Sequence, residues 1–321
     1  MDTLRRVILK FRRIVERSAF FVIDIAVTLF SKNLARTTKN LKNIFQTKIY
    51  DCITFSDGLE VLEIRLNVLD PYVDYFVIVE ATKSHSGKSK PLYFKENSHR
   101  YAKFKEKIIH VVVENMPALS ESISRYDLTS YQRNQIKQGL TSCRDSDIII
   151  VSDMDEIPNP KKIAVMVVLL NMFWKSLSFR QRFYYYYLNG VATPPNWDNG
   201  TVACKYSTLR KDYQLKADRL RPSWITPERA AIPLIMKGGW HFSYLGGADR
   251  IINKIGSIEV AWLDKEEYKD RKKVLEKIEQ GKDIFDREDR KVTYIKIDDS
   301  YPEYILSNIS KYKDLIKDTE E

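Results

Sequence analysis

Apolar and polar positions follow two alternating spacings along the chain after residue 48. The segment Ile49–Phe55 (IYDCITF) has the composition of a strand, and Leu59–Leu69 carries leucines at helical spacing until Pro71 ends the pattern. Continuous apolar runs at residues 75–80 and Ile108–Val113 predict strands that are buried on both faces. This part of the chain is therefore predicted to contain one helix among three strands.

The same alternation continues further along the chain. Residues 131–140 predict a helix, residues 147–151 (DIIIV) a buried strand, and residues 176–188 a long aromatic strand. A shorter aromatic strand is predicted at residues 240–244 and a charged helix at residues 264–280. Because helices separate the strands, we predict an α/β fold: a single domain with a mostly parallel central sheet flanked by helices.

Charge is distributed unevenly along the chain. Residues 1–48 hold 11 Lys/Arg against 3 Asp/Glu and so carry most of the net charge of +10. We interpret them as a basic, amphipathic N-terminal arm, residues 49–290 as the main domain, and residues 291–321 as a C-terminal strand and helical tail. A basic arm favours an anionic partner such as a membrane surface or a nucleic acid, and a solvated basic helix fits equally well.

The arm contains an apolar stretch at residues 19–30, which is 12 residues long and includes Asp24. A membrane-spanning helix needs roughly 20 apolar residues, so an interfacial or core-packed amphipathic helix is the better interpretation. The three cysteines are far apart and odd in number, which argues against a disulfide framework and favours a reducing compartment. Without a clear secretory signal, we predict a cytoplasmic protein with peripheral contact to an anionic membrane.

The strongest chemical signal lies at residues 148–158 (IIIVSDMDEIP), where a buried strand runs directly into Asp153, Asp155 and Glu156. Parallel α/β sheets bind ligands outside the carboxyl ends of their strands. Mg²⁺ and Mn²⁺ suit two carboxylates this close together, because they take one or two carboxylates plus phosphate oxygens of the substrate. The segment indicates a metal-bridged diphosphate site, and a solvated acidic turn is the alternative.

Two polar residues of the helix predicted before this strand, Arg133 and Asn134, are candidates to hold the diphosphate or a base of a nucleotide. Other phosphate motifs are absent from the sequence, which contains no GxxxxGK[ST] and no GxGxxG after a strand. It also lacks HExxH and GxSxG, so zinc peptidases and α/β-hydrolases are not supported.

Five segments, taken in order, resemble glycosyltransferase family 17. They are YDCITFSDGLEVLEIRLNVLDPYVDYFVIVEA at residues 50–81, KPLYF at 90–94, SDMDEIP at 152–158, GGWHFSYLGG at 238–247 and KIGS at 254–257. The resemblance covers residues 49–290 and leaves out the arm. It implies a GT-A-like glycosyltransferase domain, a divalent metal ion (Mn²⁺ or Mg²⁺), a UDP-sugar donor and inversion at the anomeric carbon, with N-acetylglucosamine as the sugar and a glycan or glycoconjugate as the acceptor.

The resemblance also implies roles for single residues. Asp153 and Asp155 match the acidic motif and are candidates to bind the metal and the diphosphate. His241 matches the histidine of the Gly-Trp-His segment and is the third candidate metal ligand. Glu80 ends the second strand, where it is placed to reach the nucleotide or to anchor a loop.

Inversion requires a general base that deprotonates the acceptor hydroxyl. Asp249 is the first candidate and Glu156 the second. Two other classes of function stay open. The first is a membrane- or nucleic-acid-binding protein that acts through the arm, although no nucleic acid partner is expected if the resemblance holds. The second is a glycoside hydrolase that uses two carboxylates and needs neither metal nor nucleotide.

Overall fold

The computed structural model describes residues 22–23, 33–223 and 226–319. One part of the ten-stranded central sheet consists of four parallel strands: β1 (Ile49–Phe55), β2 (Tyr75–Ala81), β3 (Ile108–Val113) and β4 (Ile148–Asp153). They lie in the order β3–β2–β1–β4, and every neighbouring pair among them is parallel. Their carboxyl ends therefore meet along one edge, where the α/β prediction places a ligand.

The other part of the sheet is mixed. Its strands are β5 (Glu156–Pro158), β6 (Ser176–Tyr185), β7 (Gly190–Trp197), β8 (Val202–Lys205), β9 (Leu234–Ser243) and β10 (Lys291–Tyr294). β8 joins β4 to β6 in antiparallel fashion, β7 and β10 continue to the edge, and β9 runs parallel to β6. The α/β prediction is confirmed, and the antiparallel strands occur where connections such as residues 186–189 are too short for a crossover.

Helices cover both faces of the sheet. They are α1 (Leu34–Ile44), α2 (Leu59–Leu69), α3 (Tyr93–Glu96), α4 (Arg125–Asn134), α5 (Ile163–Met172), α6 (Tyr206–Lys211), α7 (Ala217–Leu220), α8 (Pro227–Ala230), α9 (Gly247–Ile255), α10 (Arg271–Glu279) and α11 (Glu303–Leu306). Three longer 3₁₀ segments accompany them at Ser98–Lys107, Gln135–Leu140 and Ile309–Leu315.

Strand β1 shows why the sheet needs cover on both faces. Its residues Ile49 and Ile53 pack into a core cluster with α2 and α5, whereas Tyr50 and Cys52 pack into a second cluster with α4. Successive side chains of a strand point to opposite faces, so a strand that is apolar at nearly every position must be buried on both. The continuous apolar runs of the sequence indicated this arrangement correctly.

The helix predicted at residues 131–140 begins earlier than its apolar spacing indicates. Helix α4 starts at Arg125, where Ser124 and Asp127 form a reciprocal capping box, and the predicted second half is the 3₁₀ segment Gln135–Leu140. The capping residues three positions apart were the available signal, and they outweigh the polar first turn.

The predicted boundaries at residues 48 and 290 are not breaks in the packing. Helix α1 packs on α5 and buries Thr38, and its Lys42 Nζ lies 2.9 Å from Asp74. At the other end, β10 pairs with β7, and Ile305 and Tyr312 belong to the main core. The described parts of both segments, from residue 33 to 48 and from residue 291 to 319, therefore pack as part of the domain.

Most of the predicted arm, including the apolar stretch apart from residues 22–23, lies outside the described residues. In the part of the chain that is described, no helix combines the length and apolar character needed to cross a membrane. Cys52, Cys143 and Cys204 are free, as their spacing predicted.

Candidate active site

Arg65 of α2 holds the turn between β4 and β5, which carries the three predicted carboxylates. Its Nη1 atom donates to the backbone carbonyl oxygens of Asp153 and Met154, both at 3.2 Å, and of Glu156 at 2.7 Å. Its Nε and Nη2 atoms bind the carboxylate of Asp51 at 2.7 and 2.6 Å, and both side chains are fully buried. Buried carbonyl oxygens need hydrogen-bond donors, so this guanidinium stabilises the turn.

Gly239 allows β5 to lie against β9. Its φ is +144°, and a Cβ atom at this position would lie 2.1 Å from the carbonyl oxygen of Ile157. Glycine tolerates both the backbone conformation and the close approach. The resulting register sets Glu156 opposite His241. The Gly-Trp-His segment is thereby brought to the carboxyl end of β4, as the resemblance implied.

Asp153 is bound by two buried arginines. Arg133 Nη2 lies 2.9 Å from Oδ1, and Arg221 Nη2 lies 2.7 Å from Oδ2. Burial raises the pKa of the Asp153 carboxyl, but Arg221 and Arg133 outweigh that effect and hold the pKa below its usual range. Asp153 is therefore ionised at neutral pH and anchors two cations at the end of the sheet.

Asp155 faces a different cation. Lys254 Nζ, from α9, lies 2.9 Å from Oδ2, and His241 Nε2 lies 3.6 Å from Oδ1. Burial raises the pKa of the Asp155 carboxyl, but Lys254 and His241 outweigh it and bring the pKa below its usual range. For Lys254, burial lowers the pKa and Asp155 reverses that effect, so the ammonium stays charged.

Glu156 is completely buried and fully engaged. Trp197 Nε1 donates to its Oε1 at 2.9 Å, the backbone N–H of Asp153 donates to Oε2 at 3.0 Å, and Arg221 contacts both oxygens. A general base needs a free lone pair that can reach the acceptor hydroxyl. The structure instead gives Glu156 the task of holding Arg221, so its prediction as a base is not supported.

A cleft of about 340 Å³ opens over these residues. One wall is aromatic: the ring of His241 lies 4.9 Å from that of Phe183 and 4.7 Å from that of Trp197. Tyr185 and Tyr244 extend this wall. Apolar walls with a few converging charged groups are typical of sites for small polar ligands.

The fit of a divalent cation depends on Asp155 and His241. Among the described residues, no group of three or more His, Cys, Asp or Glu side chains is arranged to hold a metal by itself. Two protein ligands suffice when a diphosphate supplies further oxygens, and Asp155 Oδ1 and His241 Nε2 fit that pattern. Asp153 fits less well as a direct ligand, because both of its oxygens contact arginines. His241 Nδ1 is buried and has no hydrogen-bond partner there, so the protein does not fix the ring's tautomer.

Glu80 anchors a loop instead of reaching a nucleotide. It is fully buried and accepts hydrogen bonds from the backbone N–H groups of Phe94, at 2.8 Å, and Lys95, at 3.3 Å. His110 Nε2 lies 3.2 Å from its Oε2. Glu80 does not line the cleft, so its geometry gives no support to a cofactor-binding role and favours the loop-anchoring alternative.

The structure keeps two other predicted residues away from the cleft. Asn134 Oδ1 accepts the backbone N–H of Asp218 at 3.1 Å, which ties α4 to α7. Asp249 on α9 is 73% exposed and pairs with Arg271 at 3.0 Å. Neither lines the cleft, so Asn134 is not placed to bind a nucleotide and Asp249 is not placed to act as the base.

Sequence reasoning missed three cations of this site. Arg65 and Arg221 lie 88 and 68 residues from Asp153 in the sequence, respectively, and no local pattern links an isolated arginine to a distant carboxylate. Lys254 stands in the KIGS segment, which carried the resemblance without a role for the lysine. Only its position on the inner face of α9 shows that it pairs with Asp155.

The fold and the site define an α/β protein whose ligand cleft, at the carboxyl ends of parallel strands, combines acidic and cationic groups with an aromatic wall. The chain belongs to glycosyltransferase family 17, whose family model matches residues 32–316.

Curated relatives carry a common name. The beta-1,4-mannosyl-glycoprotein 4-beta-N-acetylglucosaminyltransferase of Rattus norvegicus is 22% identical over 303 residues, which cover 84% of this chain and 54% of that protein. The Homo sapiens protein of the same name is 25% identical over 117 residues, or 35% of this chain and 22% of that protein. The chain thus spans about half the length of the rat relative. Its match to the human protein covers a smaller share of that protein.

A solved structure of 4-diphosphocytidyl-2C-methyl-D-erythritolsynthase from Anaerococcus prevotii also matches. It is 12% identical, with 68% of this chain and 97% of that chain covered and a TM-score of 0.38, which is too low to support a conclusion about function.

Proposed function

We propose that the chain is a metal-dependent, inverting glycosyltransferase of the GT-A type that moves a sugar from a UDP-sugar to a glycan or glycoconjugate. The observation that carries the proposal is the set of cations, Arg133, Arg221 and Lys254, around the Asp153–Asp155 turn. N-acetylglucosamine is the proposed sugar because the relatives' names specify its transfer.

These cations suit a diphosphate. Arg133 and Arg221 are almost completely buried and held in place by Asp153, so their orientation is fixed before a ligand binds. Lys254 is 31% exposed and borders the cleft. It is therefore the cation that can turn from Asp155 to a phosphate oxygen and stabilise the charge that develops on the departing UDP.

The metal ion of this proposal, Mn²⁺ or Mg²⁺, would be held by Asp155 and His241 together with diphosphate oxygens and would supply further positive charge for the leaving group. The aromatic wall formed by Phe183, Trp197 and Tyr244 would pack against sugar rings and limit the access of water.

We assign the base to Glu259. A base must be a cleft carboxylate that is free to accept a proton, and Glu259 lines the cleft with no lysine or arginine within 4 Å among the described residues. The basic side chain beside it is His85, whose Nδ1 lies 3.8 Å from Glu259 Oε2. Asp57 also lines the cleft without such a partner, but it is more exposed.

A two-carboxylate glycoside hydrolase is less consistent with this site. That mechanism needs a carboxyl group whose pKa is raised so that it is protonated and can act as the acid. Asp153 and Asp155 have pKa values below the usual range, because their cationic partners outweigh burial. Neither can serve as that acid at neutral pH.

The remaining alternative, binding of a membrane or nucleic acid through the basic arm, rests on residues that are mostly outside the described ranges. Contact of the arm with an anionic membrane and a cytoplasmic location stay part of the proposal, supported by charge and by the free cysteines. No nucleic acid partner is included in it.

Calorimetric titration with UDP, with Mn²⁺ and with EDTA, tests the proposed function. We expect Mn²⁺ to strengthen UDP binding about tenfold or more, and Asp155→Asn to remove that gain. Asp212→Asn is the matched control, because Asp212 also pairs with a lysine but is exposed and outside the cleft. Absence of UDP binding by the wild-type chain, or equal binding in Mn²⁺ and EDTA, contradicts the proposal.

A further inference from the structure

Arg290 lines the same cleft but is not among the residues assigned to the donor diphosphate. It lies just before β10, and its guanidinium carbon is 5.2 Å from the centre of the Phe183 ring. That ring in turn lies 4.9 Å from the ring of His241. Arg290 is thus separated from the Asp155 region by a layer of aromatic side chains and borders the same open space.

Arg290 has no direct ion-pair partner among the described residues. No carboxylate lies within 4 Å of its guanidinium in the described ranges, and its Nε atom is buried without a hydrogen-bond partner. Burial and the neighbouring Arg287 lower the pKa of Arg290, and Asp283 and Asp289, which lie beyond ion-pair distance, offset only part of that effect. A partly buried cation beside a second cation is unfavourable unless an anion completes the site.

The neighbouring Arg287, in contrast, has a carboxylate that neutralises its charge. Arg287 binds both carboxylate oxygens of the buried Asp283, at 2.9 and 2.7 Å. Stacking on Phe183 satisfies only the face of the Arg290 guanidinium and leaves the N–H donors in its plane free. Those donors match a carboxylate or a phosphate, which accept hydrogen bonds in the same plane.

We infer that Arg290 forms an anion subsite of this cleft and takes a carboxylate or phosphate group carried by the sugar acceptor. The acceptor is thereby assigned to the class of acidic glycans, such as those with uronic acid or sugar phosphate residues. The inference rests on the proposed function, since the donor diphosphate is assigned to Arg133, Arg221 and Lys254. The anion bound by Arg290 could instead come from the donor, either from its diphosphate or from an acidic sugar, and the UDP titrations below distinguish the two sources.

Ligand-observed NMR titrations in the presence of UDP and diamagnetic Mg²⁺ test this inference with matched probes. Methyl β-glucuronide and methyl β-glucoside differ in one carboxylate, and methyl glucoside 6-phosphate supplies the phosphate. We expect the wild-type chain to bind an acidic probe about tenfold more tightly than the neutral one. Arg290→Gln should abolish the preference and Arg290→Lys should keep part of it. Arg271→Gln, which changes an exposed arginine outside the cleft, should leave it intact.

UDP titrations of the same variants separate the possible outcomes. Unchanged UDP affinity in Arg290→Gln, together with loss of the acidic preference, supports the inference. A parallel loss of UDP affinity in a variant with an unchanged melting temperature assigns the anion to the donor and overturns it. Equal or undetectable binding of acidic and neutral probes to the wild-type chain also overturns it. If UDP itself does not bind, the proposed function fails separately.

Discussion

Arg65 and Asp51 form a fully buried, two-point ion pair whose arginine also donates to three carbonyl oxygens of the turn after β4. A residue of α2 and a residue of β1 thus set the shape of the segment that carries Asp153 and Asp155. The pair stabilises the candidate site, and neither residue lines the cleft.

Variants of Arg65 should separate its effect on the free energy of unfolding from its effect on UDP binding. In Arg65→Met, Asp51 remains as an unpaired buried charge, so we expect the free energy of unfolding to fall by about 3–5 kcal/mol in urea titrations. The double variant Arg65→Met/Asp51→Leu removes both charges and should regain part of that loss. Its UDP affinity should stay reduced, because the turn carbonyls still lack their donor. Full recovery of UDP binding in the double variant would show that Arg65 does not shape the site.

Lys254→Met should weaken binding of UDP much more than binding of uridine. The ammonium is assigned to the diphosphate, and a charge-assisted hydrogen bond of this kind corresponds to a loss of about tenfold or more in affinity. Calorimetry with the two ligands measures the difference, and uridine is the internal control because it lacks phosphate. An equal loss for both would indicate a general distortion of the cleft.

The low pKa values of Asp153 and Asp155 predict when their ion pairs fail. A carboxylate whose pKa is lower in the folded than in the unfolded chain contributes stability above the unfolded pKa, about 3.9 for Asp. That contribution is lost as the pH falls through the folded pKa. The difference in unfolding free energy between the wild-type chain and Asp155→Asn should therefore be constant from pH 5 to 8 and shrink below about pH 4. A difference that shrinks between pH 5 and 7 would contradict the assigned direction.

Glu259→Gln should slow release of UDP from UDP-N-acetylglucosamine with water as the acceptor, because a base must also deprotonate water. We expect kcat to fall about a hundredfold or more, while UDP affinity stays within about twofold, since no contact to the diphosphate is assigned to Glu259. Asp249→Asn, which changes an exposed carboxylate outside the cleft, should keep the wild-type rate. A large loss in Asp57→Asn with little loss in Glu259→Gln would move the base to Asp57.

Gly239→Ala should disturb the site through the backbone. Its added Cβ would lie 2.1 Å from the carbonyl oxygen of Ile157, so β5 and β9 would have to separate, with a loss of more than about 1 kcal/mol in unfolding free energy. Gly256→Ala is the control, because its Cβ would meet nothing closer than 3.7 Å and its φ of −70° suits alanine. Equal stability of the two variants would show that the close approach is not required.

The sequence by itself determined the parallel part of the sheet and the acidic segment at the end of β4. Both are local properties: a strand buried on both faces must be apolar throughout, and the carboxylates follow it directly in the chain. The family resemblance named His241, which lines the cleft, but it also named Glu80, and Asn134 was a candidate from its place before the strand; neither of these two lines the cleft.

Only the tertiary structure showed which cations surround the acidic segment and that Glu259 is a cleft carboxylate without a lysine or arginine partner among the described residues. Arg65, Arg221, Lys254 and Arg290 come from four different parts of the chain, and whether each pairs with a carboxylate depends on which face of its element is buried and what lies opposite. Spacing along the sequence does not encode that information, because charges separated by 68 residues (Arg221 and Asp153) or 99 residues (Lys254 and Asp155) become neighbours only when the sheet and its helices pack. The acidic segment was therefore visible in the sequence, whereas its electrostatic surroundings, on which the proposed chemistry depends, came from the fold.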